Sequence, residues 1–211
     1  MTDSQSPKIK SQENEQSLLE DTTRLTNQFL IAMPGMADPN FAGSVIYLCE
    51  HGEQGAMGLV INRPTDIDLA SLFEKIDLKL EIQTLQEEPV YFGGPVQTDR
   101  GFVLHEQTEA SHYSSSLKIP NGLAMTTSKD VLEQVAHGQG PKRFIMTLGY
   151  AGWSAGQLEE ELSLNGWLNV PASSEKIADI IFETPDVDKY DKVMGLLGID
   201  PHFLSGEAGH A

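Results

Sequence analysis

The run Phe144–Leu162, FIMTLGYAGWSAGQLEEEL, constrains the fold more than any other stretch, because it joins a strand signal to a helix signal through a glycine-rich junction. Phe144, Ile145, Met146, Thr147 and Leu148 are apolar strand formers, which predicts a short strand closed by a turn at Gly149 and Gly152. A helix is expected next. Ser154 stands at the N-cap position with Gln157 three residues on, the pair a reciprocal capping box requires. Trp153 and Leu158 fall at the two positions of a hydrophobic staple, and Leu162 continues the buried stripe. Glu159, Glu160 and Glu161 then face outward or toward the rim, near the positive end of the helix dipole. The same Gly152–Gly156 segment, GWSAG, also fits the G-x-S-x-G nucleophile elbow in its strand, turn, helix setting. Ser154 is therefore either a helix cap or a nucleophile.

Elsewhere the pattern mixes strands and helices irregularly. Phe29–Ala32, Ser44–Glu50 and Met57–Ile61 read as strands, the last two as a hairpin ending at Asn62-Arg63-Pro64. Leu69, Leu72, Phe73 and Ile76 recur at helical spacing behind Asp68, a good cap. Val90–Phe92 and Phe102–His105 read as strand, tight turn, strand around Gly93-Gly94-Pro95; residues 78–88 give no decided pattern. Leu123–Thr126 suggests a strand, Ser128–His137 a helix stopped by Gly138, Trp167–Val170 and Ile180–Glu183 extended segments, and Tyr190, Val193, Met194 and Leu197 a last helix ended by Gly198. Without sustained βα alternation, this order predicts an α+β fold with a largely antiparallel sheet.

Composition narrows the class. The chain has 211 residues, enough for one well-buried domain. Met1 to about Thr23 is polar and is expected to form a disordered tail ahead of a single domain spanning 24–211. A single cysteine, Cys49, rules out an intrachain disulfide, and no signal-peptide pattern or apolar run of spanning length is present. A cytoplasmic protein without membrane association is expected. The 31 acidic against 14 basic residues give a net charge of −17, which opposes direct nucleic-acid binding.

Several residues invite functional readings. Ser154 as a nucleophile would need a base, and Asp186, Asp188, Asp191 or Asp200 followed by His202 or His210 supplies the serine, acid, histidine order; the parallel βα repeats and oxyanion loop of such hydrolases are missing upstream. Gly149 and Gly152 before a helix could cradle a phosphate or simply allow close packing. Cys49 and His51 share a strand face, with His105 and His112 farther on, but match no zinc spacing. Neither a metal nor a cofactor is expected. Asn62, Arg63, Gly93, Gly94, Asp99 and Arg100 lie at strand ends, where a scaffold can present a binding surface together with Gly149, Gly152 and Trp153. The competing reading is an internal network in which Arg63 and Arg100 pair with carboxylates such as Asp99.

The blocks FLIAMPGMADPNF, SVIYLCEHGEQGAMGLVINRP, VYFGGPVQTDRGFVLH, TTSKDVLEQVAHGQGPKRF, LGYAGWSAGQLEEEL, LGIDPHFLS and the terminal GHA, taken together and in this order, closely resemble the YqgE/AlgH family of bacterial proteins over Leu25–Ala211. The resemblance implies coiled, partly barrel-like sheets with flanking helices. It implies no settled activity; one branch is named for a regulator of alginate synthesis. It also implies that a small non-nucleophilic residue can stand at the position of Ser154, and that Tyr190 replaces a tryptophan. A non-catalytic binding or regulatory protein, acting through a protein or small-molecule partner, is the expected function, with a Ser154 hydrolase as the alternative.

Overall fold

The structure, a computed structural model, describes residues 25–107 and 112–198. The expected N-terminal tail, Asp200, His202 and His210 lie outside those residues.

The chain is built around β9 (Phe144–Ser154), an 11-residue strand that does not stop at Leu148 as expected. Its first half lies between β5 (Pro89–Phe92), a parallel neighbour, and β6 (Val96–Glu106), an antiparallel one. Its second half, Ala151–Ser154, pairs with β3 (Gly55–Val60) instead. The change of partner falls at Gly149, whose φ of 73° turns the strand without ending it. Thus Gly149 is a bend inside a continuous strand, because the hydrogen-bond demand of β3 carries the chain onward to Ser154.

β2 (Val45–Gly52) and β3 form the expected hairpin, while β1 (Phe29–Ala32) and β10 (Trp167–Val170) extend that side of the sheet. On the other side β6 pairs with β8 (Leu123–Thr126), which pairs with β7 (Ser116–Ile119). The main path runs β10-β1-β2-β3-β9-β6-β8-β7, with β4 (Pro64–Asp68) attached through β5. Every pair except β5–β9 is antiparallel, and the sheet curls into a half-barrel forming one domain.

One apolar cluster runs across this sheet on a single face, from Phe29 and Val170 through Tyr47, Leu59, Phe102 and Leu104 to Ile119. On the opposite face the apolar residues split into two separate clusters, as expected where a sheet curls around the first face. Two helices fill the concavity: α4 (Ser174–Phe182), through Ile177, Ile180 and Ile181, and α5 (Asp186–Gly195), through Val193 and Met194. Outside, α1 (Leu69–Lys75) and α2 (Lys129–Ala136) cover the lower half of β9, and α3 (Gln157–Ser163) covers the upper half.

Three expectations are corrected. Ile180 and Ile181 belong to α4, not to a strand; with Ile177 they form an i, i+3, i+4 stripe that a short apolar run leaves ambiguous. Although β5 and β6 are adjacent in sequence, they make no hairpin, since each pairs with β9. Pro64, read with Asn62 and Arg63 as the end of the preceding strand, itself opens β4. The undecided 78–88 segment contains one 3-10 turn, Gln83–Leu85. Asp68 caps α1 as expected, accepting the Ser71 N–H at 2.8 Å, and the Ser71 side chain together with this N–H holds its carboxyl below the usual range.

Candidate functional site

Because β9 keeps pairing with β3 through Ser154↔Gly55, Ser154 ends a strand and does not cap the helix. The N-cap of α3 is Gly156, at φ 76°. Half of the expected capping box survives: Gln157 Oε1 accepts the Ser154 N–H at 3.0 Å. Trp153 and Leu158 are both buried in one cluster, so the staple residues remain packed together.

Two glutamates of α3 hold side-chain partners, Glu159 at His51 and Glu161 at two tryptophans. Glu161 Oε2 accepts the indole N–H groups of Trp153 at 2.9 Å and Trp167 at 2.7 Å, and its Oε1 accepts from Gln157 at 2.9 Å. Glu161→Ala is expected to leave two buried indole donors unpaired and to cost about 2–3 kcal/mol in denaturant melts. Glu161→Gln, which keeps one acceptor, should lose less.

Ser154 lies on the lip of an open groove of about 1060 Å³. Its floor includes Cys49, His51 and Met57, with Tyr150 and Asn27 beside them, and β7 contributes Leu117 and Lys118. His51 is the histidine on hand here. Its Nδ1 accepts the Leu25 N–H at 3.0 Å, which places the ring proton on Nε2, where it is donated to Glu159 Oε1 at 2.8 Å. Both nitrogens are committed, and neither is free to take a proton from Ser154. Among the described residues the Ser154 hydroxyl has no hydrogen-bond partner. Cys49 is buried, donates weakly to the Tyr47 carbonyl, and has its thiol pushed up by burial and by the charge of Glu50. A thiolate nucleophile is thereby disfavoured.

An AlgH-like family model matches residues 29–202. The chain belongs to the AlgH-like family. Similar proteins include a UPF0301 protein of Burkholderia vietnamiensis, 65% identical over 191 residues, covering 90% of this chain and 97% of that one. A UPF0301 protein of Ralstonia nicotianae is 69% identical over 187 residues, covering 89% and 95%. The solution structure of the AlgH protein from Pseudomonas aeruginosa aligns over 100% of both chains with a TM-score of 0.72 and 46% identity. A crystal structure of a Corynebacterium diphtheriae protein, at 22% identity and a TM-score of 0.62 over 85% of this chain and 88% of that one, shares the fold.

In this AlgH-like chain the polar strand-end residues are dispersed among different partners. Arg63 donates to the carbonyls of Pro39, Asn40 and Ala42. Asn62 accepts the Val45 N–H at 2.9 Å and donates to Gly43 O at 3.0 Å, so the two residues together pin the loop before β2. Arg100 instead meets Gln97, Thr127 and the Phe102 ring, and Asp99 is exposed. The expected pairing of these arginines with Asp99 is not formed; carbonyl, amide and hydroxyl oxygens take its place. Gly93, Gly94 and Gly149 meet where the β5–β6 connection crosses β9. Of the residues singled out, Cys49, His51, Gly152, Trp153 and Ser154 line the groove, and the strand-end group of Asn62, Arg63, Gly93, Gly94, Asp99 and Arg100 does not.

One cluster of the AlgH-like fold gives no sequence signal. Lys189 is 1% exposed, donates to Ile61 O and Asp186 Oδ1, each at 2.8 Å, and lies over the Tyr91 ring at 5.0 Å. Burial lowers its pKa, and Asp186 opposes that shift. An Asp-x-x-Lys pair on an amphipathic helix ordinarily reads as a solvated face.

Proposed function

We propose that this protein binds a partner or ligand in the groove at the open end of the half-barrel and performs no turnover there. The observation that carries this reading is the state of the groove's polar groups: a spacious, mixed polar and apolar cleft whose histidine has both ring nitrogens committed and whose cysteine is held as a thiol. Such a site can recognise but lacks an available base. Regulation through a bound partner, in the cytoplasm and without direct contact to nucleic acid, fits the net charge of −17.

Two measurements test this. A fluorophosphonate probe should leave the wild-type chain unlabelled; stoichiometric modification of Ser154 would overturn the reading and make it a nucleophile. Backbone amide spectra with a fragment library should show shifts concentrated at Cys49–Met57 and Gly152–Ser154. Since the Ser154 hydroxyl caps nothing, Ser154→Ala should change stability by no more than about 0.5 kcal/mol, whereas a true cap would cost about 1 kcal/mol.

A further inference from the structure

The half-barrel has a free edge that opens onto the groove. β7 ends the sheet path, paired with β8 on one side and with no described strand on the other. Register identifies the exposed groups. The Thr127 N–H bonds to Ser115 O, which makes Ser115 and Thr127 a hydrogen-bonded pair of the antiparallel ladder. Such pairs alternate, so Leu117↔Met125 and Ile119↔Leu123 are also bonded pairs. The N–H and C=O groups of Ser116 and Lys118 therefore point away from β8, and among the described residues nothing meets them. Lys118 lines the groove, so this unsatisfied edge forms one of its walls.

Side chains add a second pattern. Leu117 and Ile119 face the concave core, whereas the Ser116 hydroxyl meets Thr126 on the opposite face, which also turns Lys118 away from the groove floor. Met57, Leu117 and Tyr150 are partly buried beside the groove, and Val96 is 36% exposed. Opposite the edge, Glu50 and Glu53 are exposed on the hairpin and make no ion pair among the described residues. An incoming strand would meet main-chain donors and acceptors on one side, apolar side chains below and carboxylates across from it.

We propose that the groove takes an extended, lysine- or arginine-bearing segment of a partner protein, added as a further strand along the free edge of β7. This rests on the reading that the groove is the binding site, and names its occupant. Main-chain pairing supplies affinity without demanding one sequence, while the apolar floor and the Glu50–Glu53 rim select alternating apolar and basic side chains. The net charge of −17 steers a cationic segment inward and disfavours a second copy of this acidic chain in the same place.

The test uses the full chain and a phage-displayed random octapeptide library, followed by the synthetic form of the enriched sequence. Enriched peptides should carry lysine or arginine alternating with apolar residues and should protect the Ser116 and Lys118 amides from hydrogen exchange. Binding should weaken at least tenfold when alternate peptide nitrogens are methylated, and at least tenfold in Lys118→Pro, which removes an edge N–H that β8 does not use. If Lys118→Pro melts early, Glu50→Lys with Glu53→Lys, both exposed, should give the same loss. Acidic peptides, or binding indifferent to methylation and to these variants, would overturn the proposal. Amides at Ser116 and Lys118 already protected in the free chain would mean that its own N-terminal segment occupies the edge, and protection rising with protein concentration would mean a second copy; either result overturns it. Fragment shifts in the groove without any enriched peptide would overturn the peptide occupant while leaving the groove a binding site. Neither fragments nor peptides reaching the groove would remove both.

Discussion

Gly94→Ala is expected to unfold this protein or leave it barely stable, while Gly195→Ala should be neutral or mildly stabilising. The difference lies in where the two backbones run. Gly94 has φ 150°, a conformation side-chain-bearing residues rarely adopt, and a methyl group there would overlap the Tyr150 carbonyl and the Ala151 nitrogen. These atoms belong to β9, which is fixed by β3 on one side and β6 on the other, so they cannot retreat without opening the sheet. Overpacking and backbone strain each cost about 1–3 kcal/mol, and here they act together against a rigid neighbour. Loss of about 3 kcal/mol or more is expected by urea denaturation, a large share of the about 5–15 kcal/mol typical of a domain. Gly195 is the last residue of α5, with nothing within 4 Å of the added methyl, so alanine there meets no clash and gains no more than the about 0.5–1 kcal/mol of a helix interior. Equal, small effects at the two sites would show that the crossing at β9 is not rigid.

That crossing also explains what the sequence could and could not reveal. Local signals were legible: Asp68 capping α1, the β2–β3 hairpin, the stripe of Val131, Val135 and Ala136 in α2, and the family blocks that imply a barrel-like sheet. Each depends on residues within a few positions of one another. The partners of β9 do not. Its bonds to β3, β5 and β6 join residues about 40 to 100 positions apart, and Gly93-Gly94 reads as a hairpin turn until β9 is seen beneath it. Gly149 misleads for the same reason, since its left-handed conformation can close a strand or bend one. Ser154 shows the same limit at the site: the cap signature is local, but the β3 ladder that holds Ser154 in the sheet begins at Gly55. The groove draws on β2, β3, β7 and β9, so no contiguous motif could announce it.

Lys189→Met is expected to cost about 3–5 kcal/mol, the range for breaking a buried ion pair by removing one partner. Lys189 fastens α5 to the strand side of the core: its Nζ bridges Ile61 O and Asp186 and sits over Tyr91. Methionine matches the length and apolar packing of the stem, but it strands the Ile61 carbonyl and the Asp186 carboxylate, whose remaining side-chain contact is Tyr91 OH at 3.3 Å. The double variant Lys189→Met, Asp186→Asn should recover part of the loss by removing the orphaned charge. The pH dependence separates this role from simple packing. Burial lowers the pKa of Lys189 in the folded chain, so between that lowered value and the ordinary lysine value of about 10.4 the unfolded chain holds more protons, and stability contributed by this group rises with pH. The buried phenols of Tyr47 and Tyr91, whose pKa values are raised chiefly by burial, act in the opposite direction above about pH 10. They are present in both proteins and cancel in the comparison only if the substitution leaves Tyr91 in place, which the NMR signals of its ring can report. Below pH 10 the stability gap between wild type and Lys189→Met should therefore widen as pH rises, measured by urea melts at several alkaline pH values. A gap that narrows over that window would mean that Lys189 is held above its ordinary pKa by Asp186, and that the ion pair outweighs burial.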